Sequence, residues 1–124
     1  MDLKIKDYKI IVFAHDYVGE KVLEFIINNY LKDLVYVVII DGNQRLFDFL
    51  VNLDFDTDKI FYNSSIYSED FLEMINRNNI SNIILAWWPK IIKEPILSLP
   101  KYGIKNCHLV ACRKIVEKML IFGQ

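Results

Sequence analysis

Asn106 and His108 stand two apart at the end of a segment that reads as a strand, so their side chains point to one face. An amide beside an imidazole is a working pair. The amide donates to an oxygen that gains negative charge, and the imidazole moves a proton or stabilises a charge. The ordinary alternative is a polar strand end with no role in chemistry. His15 follows the first apolar run, Ile10 to Phe13, where it can meet a substrate or simply cap the next helix. Trp87 and Trp88 are adjacent at another strand end. They can line a flat aromatic pocket, or at least one of them is core packing.

Other constellations are weaker. A phosphate-cradling dinucleotide turn needs glycines where the first strand enters the first helix, because side chains there block the pyrophosphate. The turn here is Ala14-His15-Asp16-Tyr17-Val18-Gly19, and the whole chain has four glycines, so neither that fingerprint nor a P-loop is present. Asp54, Asp56 and Asp58 alternate like the start of a calcium loop. Lys59 stands where the loop's glycine belongs and Ser65 where its closing glutamate belongs, so a solvated polar face is expected and no metal site. Cys107 and Cys112 match no zinc spacing, and are expected to be free thiols in a reducing compartment.

The elements that must position these residues alternate. Ile10 to Phe13 reads as a buried strand, and Gly19 to about Tyr30 as a helix with Val18, Val22, Phe25 and Ile26 inward and Glu20, Lys21 and Glu24 elsewhere. Leu34 to Ile40 is a β-branched strand closed by Asp41-Gly42-Asn43, and Leu46, Phe47, Leu50 and Val51 suggest a short helix. Ile60 to Tyr62 is a brief strand. Ser68 can cap a helix that buries Phe71, Leu72 and Ile75. Ile83 to Ala86 is the fourth strand, interrupted by Trp87-Trp88-Pro89. Pro95 is expected in the first turn of a helix carrying Ile96, Leu97 and Leu99, Pro100 stops it, and Gly103 to His108 returns as the fifth strand. Such alternation predicts an open, mostly parallel α/β sheet with helices on both faces and ligands at the strand ends.

The 124 residues, 53% hydrophobic with formal net charge -1, suffice for one buried core. Near-neutral charge makes no case for a nucleic-acid partner or a membrane surface. The start of the chain lacks the apolar core of a signal peptide, and no apolar run nears the roughly 20 residues that span a bilayer. A cytoplasmic location is the expectation.

The stretch Ile83-Ile84-Leu85-Ala86-Trp87-Trp88-Pro89-Lys90-Ile91-Ile92, then Pro95, Leu99-Pro100-Lys101, Gly103-Ile104 and Asn106-Cys107-His108, resembles the formyltransferases. That family includes glycinamide ribonucleotide, methionyl-tRNA and sugar-nucleotide formyltransferases. The resemblance runs from about Lys9 to His108 and is most specific at its end. It implies a Rossmann-like N-terminal domain over residues 1–108 and 10-formyltetrahydrofolate as formyl donor, with no metal. Asn106 matches the asparagine that polarises the formyl group, and His108 the catalytic histidine beside it. Trp87, Trp88, Pro89, Lys90, Ile91 and Ile92 match the turn that cradles the pterin ring. The acceptor implied is an amine. The phrasing around Trp87 is closest to sugar-type members, which points to an amino sugar nucleotide.

The family's third catalytic group, an aspartate beyond the histidine, finds no match, and residues 109–124 depart from the family's continuation. Read one base over from the His108 codon, permitted codons give PSCLP, close to the family's PSLLP. A frameshift at His108 is therefore one expectation for the tail. The other is an amphipathic helix using Ile115, Val116, Met119, Leu120 and Phe122. A truncated member of the family would turn over little, and its incomplete sheet would leave an open edge at the fifth strand that invites self-association. A binding or regulatory module without catalysis is the competing reading.

Overall fold

The computed structural model describes residues 8–107 and 109–122, apart from the side chains of 109–111, 119, 121 and 122. Five strands form one parallel sheet: β1 (Ile10–Ala14), β2 (Leu34–Ile39), β3 (Ile60–Tyr62), β4 (Asn82–Ala86) and β5 (Ile104–Cys107). Their order across the sheet is β3-β2-β1-β4-β5. The helices are α1 (Asp16–Tyr30), α2 (Gln44–Asn52), α3 (Glu69–Arg77) and α4 (Leu109–Phe122). This is the open Rossmann-like α/β architecture that the alternation predicts. The chain winds outward from β1 to β3, then returns to lay β4 against the other side of β1. All five strands run the same way, so their C-terminal ends share one edge.

β1 is apolar at every position because both of its faces are covered. One face packs a cluster with Val22, Leu23 and Ile26 of α1, Leu46 and Leu50 of α2, and Val116 of α4. The other packs Ile11 and Phe13 against Phe71, Met74 and Ile75 of α3 and against Ile92 and Ile96 of the β4–β5 connection. Helices thus cover both faces. α1 approaches β1 so closely that a Cβ on Gly19 would lie 3.0 Å from the Ala14 Cβ and 3.1 Å from its carbonyl carbon. Only glycine fits that contact without moving backbone.

Local chemistry explains the ends. Ser68 Oγ accepts from the Phe71 N–H at 3.2 Å, the expected cap of α3. Asp56 caps a single 3₁₀ turn by accepting from the Asp58 N–H at 2.9 Å, which employs part of the alternating acidic run. α1 starts three residues before Gly19, with Asp16 in the left-handed region at φ 59. Pro95 does not open an α-helix. It precedes a 3₁₀ turn, Ile96–Ser98, and its peptide bond with Glu94 is cis.

The expected free thiols are a second correction. Cys107 and Cys112 form a disulfide, with Cα atoms 4.9 Å apart. β5 passes almost directly into α4, whose first turn folds back over the strand end, so residues five apart in sequence meet inside the α1-side cluster. The inference of a reducing compartment falls with the free thiols. Residues 109–122 are helical as the amphipathic pattern predicts, with Val116 buried and Ile115 and Leu120 half-buried against α1. Met119 and Phe122 have side chains outside the described residues. Reducing the disulfide is expected to lower stability by about 2 kcal/mol, the scale of closing so short a loop. Urea unfolding with and without dithiothreitol checks it, and Cys112→Ser should abolish the difference.

Asn82, wholly buried in β4, pins the far edge of the sheet. Its amide donates to the carbonyls of Tyr102 and Gly103 at 3.1 and 3.0 Å, and its oxygen accepts from the Tyr8 hydroxyl. Burial, and then the neighbouring Tyr102, push the Tyr8 phenol from 10.0 up to about 12. The fold therefore favours the neutral phenol. Its contribution is complete below pH 10 and is lost as pH rises from 10 through 12. Urea midpoints across that window should fall more steeply for the native chain than for Tyr8→Phe.

Candidate functional site

In open parallel sheets, ligands bind beyond the strand ends where the winding reverses direction. Here that point lies between β1 and β4. The two strand ends are joined there by the His15 N–H, which donates to the Ala86 carbonyl at 3.1 Å. The residues expected to do chemistry gather along this edge. His15 follows β1, Trp87 follows β4, and Asn106 lies in β5 beside Leu85 of β4. Adjacent strands are about 4.8 Å apart, so the Trp87 turn is one spacing from each neighbour.

The paired tryptophans divide. Trp88 turns inward and meets the Phe13 ring edge-on, with centroids 5.1 Å apart. Trp87 is 53% exposed and adopts φ 62, a left-handed conformation that costs a bulky residue about 1–2 kcal/mol. The next hydrophobic pair divides in the same way: Ile92 is buried, while Ile91 is 84% exposed. Pro89 and Lys90 are exposed between them. The turn thus anchors through Trp88 and Ile92 and offers Trp87 and Ile91 to solvent. Trp88 Nε1 is shut off from solvent and has no hydrogen-bond partner among the described residues. Left-handed backbone at a bulky residue, exposed apolar side chains and an orphaned indole donor in one short turn point to a binding surface.

Asn106 shares a face with Ile104, which packs on the α3-side cluster together with Trp88 and Ile92. Its side chain is exposed. The structure therefore brings Asn106 to the same side of the sheet as the Trp87–Ile92 turn, with an amide free to donate to a ligand oxygen. His108 lies outside the described residues.

His15 belongs elsewhere. It occupies the position before α1, but its side chain makes no capping bond, contrary to the simpler expectation. Its Nδ1 is buried without a partner among the described residues. With Asp16, Glu20, Ile40, Asp41, Gly42, Asn43 and Arg45 it lines a cleft of about 410 Å³ between the ends of β1 and β2. Periodicity placed Glu20 outside the apolar face of α1, yet it is nearly buried and takes a two-pronged contact from Arg45, at 2.8 and 3.3 Å. The partner is on another helix, 25 residues away, so no local signal shows the pair. Asp41 and Asn43 stood in the sequence only as a strand-closing turn.

Among the described residues no group of three or more potential ligands could hold a metal ion. No helix among them is long and apolar enough to cross a membrane. The phosphoribosylglycinamide formyltransferase of Streptococcus pneumoniae TIGR4 has a similar structure, with a TM-score of 0.60 at 20% sequence identity. The match covers 82% of this chain and 56% of that one, so the chain spans little more than half the length of the neighbour. At that identity the likeness establishes the fold. No protein-family model matches the chain, and no curated protein matches its sequence.

Proposed function

We propose that this chain is the donor-binding part of a formyltransferase, taking 10-formyltetrahydrofolate at the Trp87–Ile92 turn and presenting the formyl group to an amine. The observation that carries the reading is the turn itself: Trp87 and Ile91 held outward, at φ 62 for Trp87, by the half-buried Trp88 and the buried Ile92. A flat, partly polar ring fits such a surface. It covers the exposed indole and isoleucine. The motif from Ile83 to His108 and the formyltransferase fold of the structural neighbour support the same reading.

The folate, when bound, supplies an activated formyl group. Asn106 donates an amide hydrogen bond to the formyl oxygen as it becomes negative during attack by the amine. His108 is the proposed proton-handling partner. The anchors Trp88 and Ile92 keep the turn at one distance from Asn106, since they pack on the same side of the sheet as Ile104 of its strand. Donor binding tests the reading at the turn itself. The amine is proposed to be carried by an amino sugar nucleotide, on the phrasing of the turn.

The reading is tested by thermal unfolding in rising concentrations of 5-formyltetrahydrofolate, a stable analogue of the donor. A ligand bound only by the folded chain raises the midpoint with its concentration. The native chain is expected to show this rise, and Ile91→Ala to show a smaller one. An exposed side chain such as Ile91 is removed at a cost within about 0.5 kcal/mol, so the variant should fold. No rise for the native chain would refute the proposal.

A further inference from the structure

We propose that the cleft between the ends of β1 and β2 binds the adjacent hydroxyls of an unphosphorylated ribose-type ring on the acceptor, with Asp41 as their hydrogen-bond acceptor. The assignment of the ring to the acceptor rests on the formyl-transfer reading; the recognition chemistry does not.

The charges in the cleft decide against an anion. Asp16, Glu20 and Asp41 line it with three carboxylates against the single arginine, Arg45. Arg45 is already engaged by Glu20, at 2.8 and 3.3 Å. The first N–H groups of α1 would ordinarily attract a phosphate. Here the Asp16 carboxylate accepts from the Tyr17 N–H at 2.9 Å, placing a negative charge where a phosphate would sit. Asn43 similarly occupies the start of α2 by accepting from the Leu46 N–H at 3.1 Å. Each helix start facing the cleft thus already has one N–H taken by a side chain of the chain itself.

What remains free is acceptor capacity. Asp41 is held in place from two sides: its N–H donates to Asn63 Oδ1 at 2.7 Å, and its Oδ1 accepts from the Ser64 N–H at 3.2 Å. The loop after β3 thereby fixes the loop after β2. Asp41 lines the cleft, and its Oδ2 keeps no partner among the described residues. Gly42 follows at φ 82, and a Cβ there would meet nothing within 4 Å, so a ring can lie against its backbone. His15 lines the same cleft, with its Nδ1 shut off from solvent. A fixed carboxylate and bare backbone at an open cleft suit a neutral ring with adjacent O–H donors. A carboxylate at the end of the second strand of an open parallel sheet is a position from which ribose hydroxyls can be bound. The cleft adjoins β1, one strand spacing from the Trp87 turn, so one acceptor can reach both.

The test is amide chemical-shift mapping on the full, isotopically labelled chain with three probes: adenosine, 2′,3′-dideoxyadenosine and adenosine 3′-phosphate. Adenosine should move the amides of Tyr17, Gly42 and Asn43. The dideoxy and 3′-phosphate probes should bind about tenfold more weakly, the scale of one charge-assisted hydrogen bond. Asp41→Asn keeps an oxygen for the Ser64 N–H, so its spectrum should be otherwise native, but adenosine affinity should fall by a similar factor. Asp58→Asn, an exposed carboxylate in another loop, should change nothing. Equal binding of adenosine and its dideoxy analogue, tighter binding of the 3′-phosphate, or no shifts in the cleft would overturn the proposal. The same spectra titrated with 5-formyltetrahydrofolate report separately at Trp87 and Ile91. Cleft shifts without turn shifts would sink the formyl-transfer reading alone, and the reverse would sink the ribose site alone.

Discussion

Phe13→Ala should lower the stability of the chain by about 3–5 kcal/mol, the usual cost of emptying a fully buried phenylalanine site. Phe13 is wholly buried in β1, the central strand of the sheet, so little around it can collapse into the space. The effect should not be confined to stability. The Phe13 ring supports Trp88 edge-on at 5.1 Å, and Trp88 is an anchor of the turn that holds Trp87 outward. Without it the turn loses its fixed distance from Asn106, and affinity for 5-formyltetrahydrofolate should fall along with the urea midpoint. Leu97→Ala, at an exposed position in the following turn, should stay within about 0.5 kcal/mol of the native chain. A Phe13→Ala loss below about 1 kcal/mol would mean that the ring does not fill the space described.

Trp87→Gly should have effects of opposite sign. Glycine accepts φ 62 without the penalty a tryptophan bears there, so the variant is expected to gain roughly 0.5–1 kcal/mol after its greater freedom in the unfolded chain is counted. The same change removes the exposed indole that is proposed to cover the pterin, so folate affinity should fall at least about tenfold, or 1.4 kcal/mol. Urea unfolding and a binding titration on one preparation read both effects. A variant that is both less stable and unchanged in affinity would show that Trp87 is placed there for packing. Strain retained at a bulky, solvent-facing residue is otherwise hard to account for in a fold that could use glycine.

Most of the sheet was legible because buried parallel strands leave continuous apolar runs. Ile10 to Phe13, Leu34 to Ile40, Ile60 to Tyr62 and Ile83 to Ala86 all appear within a residue or two of where they were expected. Ser68 could be read as a cap because capping is local chemistry. What was hidden depends on topology. The cleft exists because β2 lies beside β1, which brings Asp41 near His15 although 26 positions separate them in sequence. Glu20 read as solvent-facing because a carboxylate on a helix usually is, and its burial follows from Arg45 on a neighbouring helix. The cysteines read as free thiols because a spacing of five says nothing until a strand is known to turn straight into a helix. Trp87 and Trp88, a pair by sequence, could not be divided into anchor and exposed surface before the left-handed turn between strand and loop was known. Asn106 was identified from the motif, and the register of β5 on β4 places it on the face of the turn.

The chain's two tryptophans make one measurement decisive for the account. The intact chain is titrated with 5-formyltetrahydrofolate while tryptophan emission is followed, with N-acetyltryptophanamide as the correction for absorbance. Trp87→Phe, which leaves Trp88 alone, is titrated in parallel. The account predicts a saturable quench and blue shift in the native chain as the exposed Trp87 is covered, with most of that signal absent in the variant. A native trace no different from N-acetyltryptophanamide, or an equal saturable quench in Trp87→Phe, would contradict a folate site at this turn.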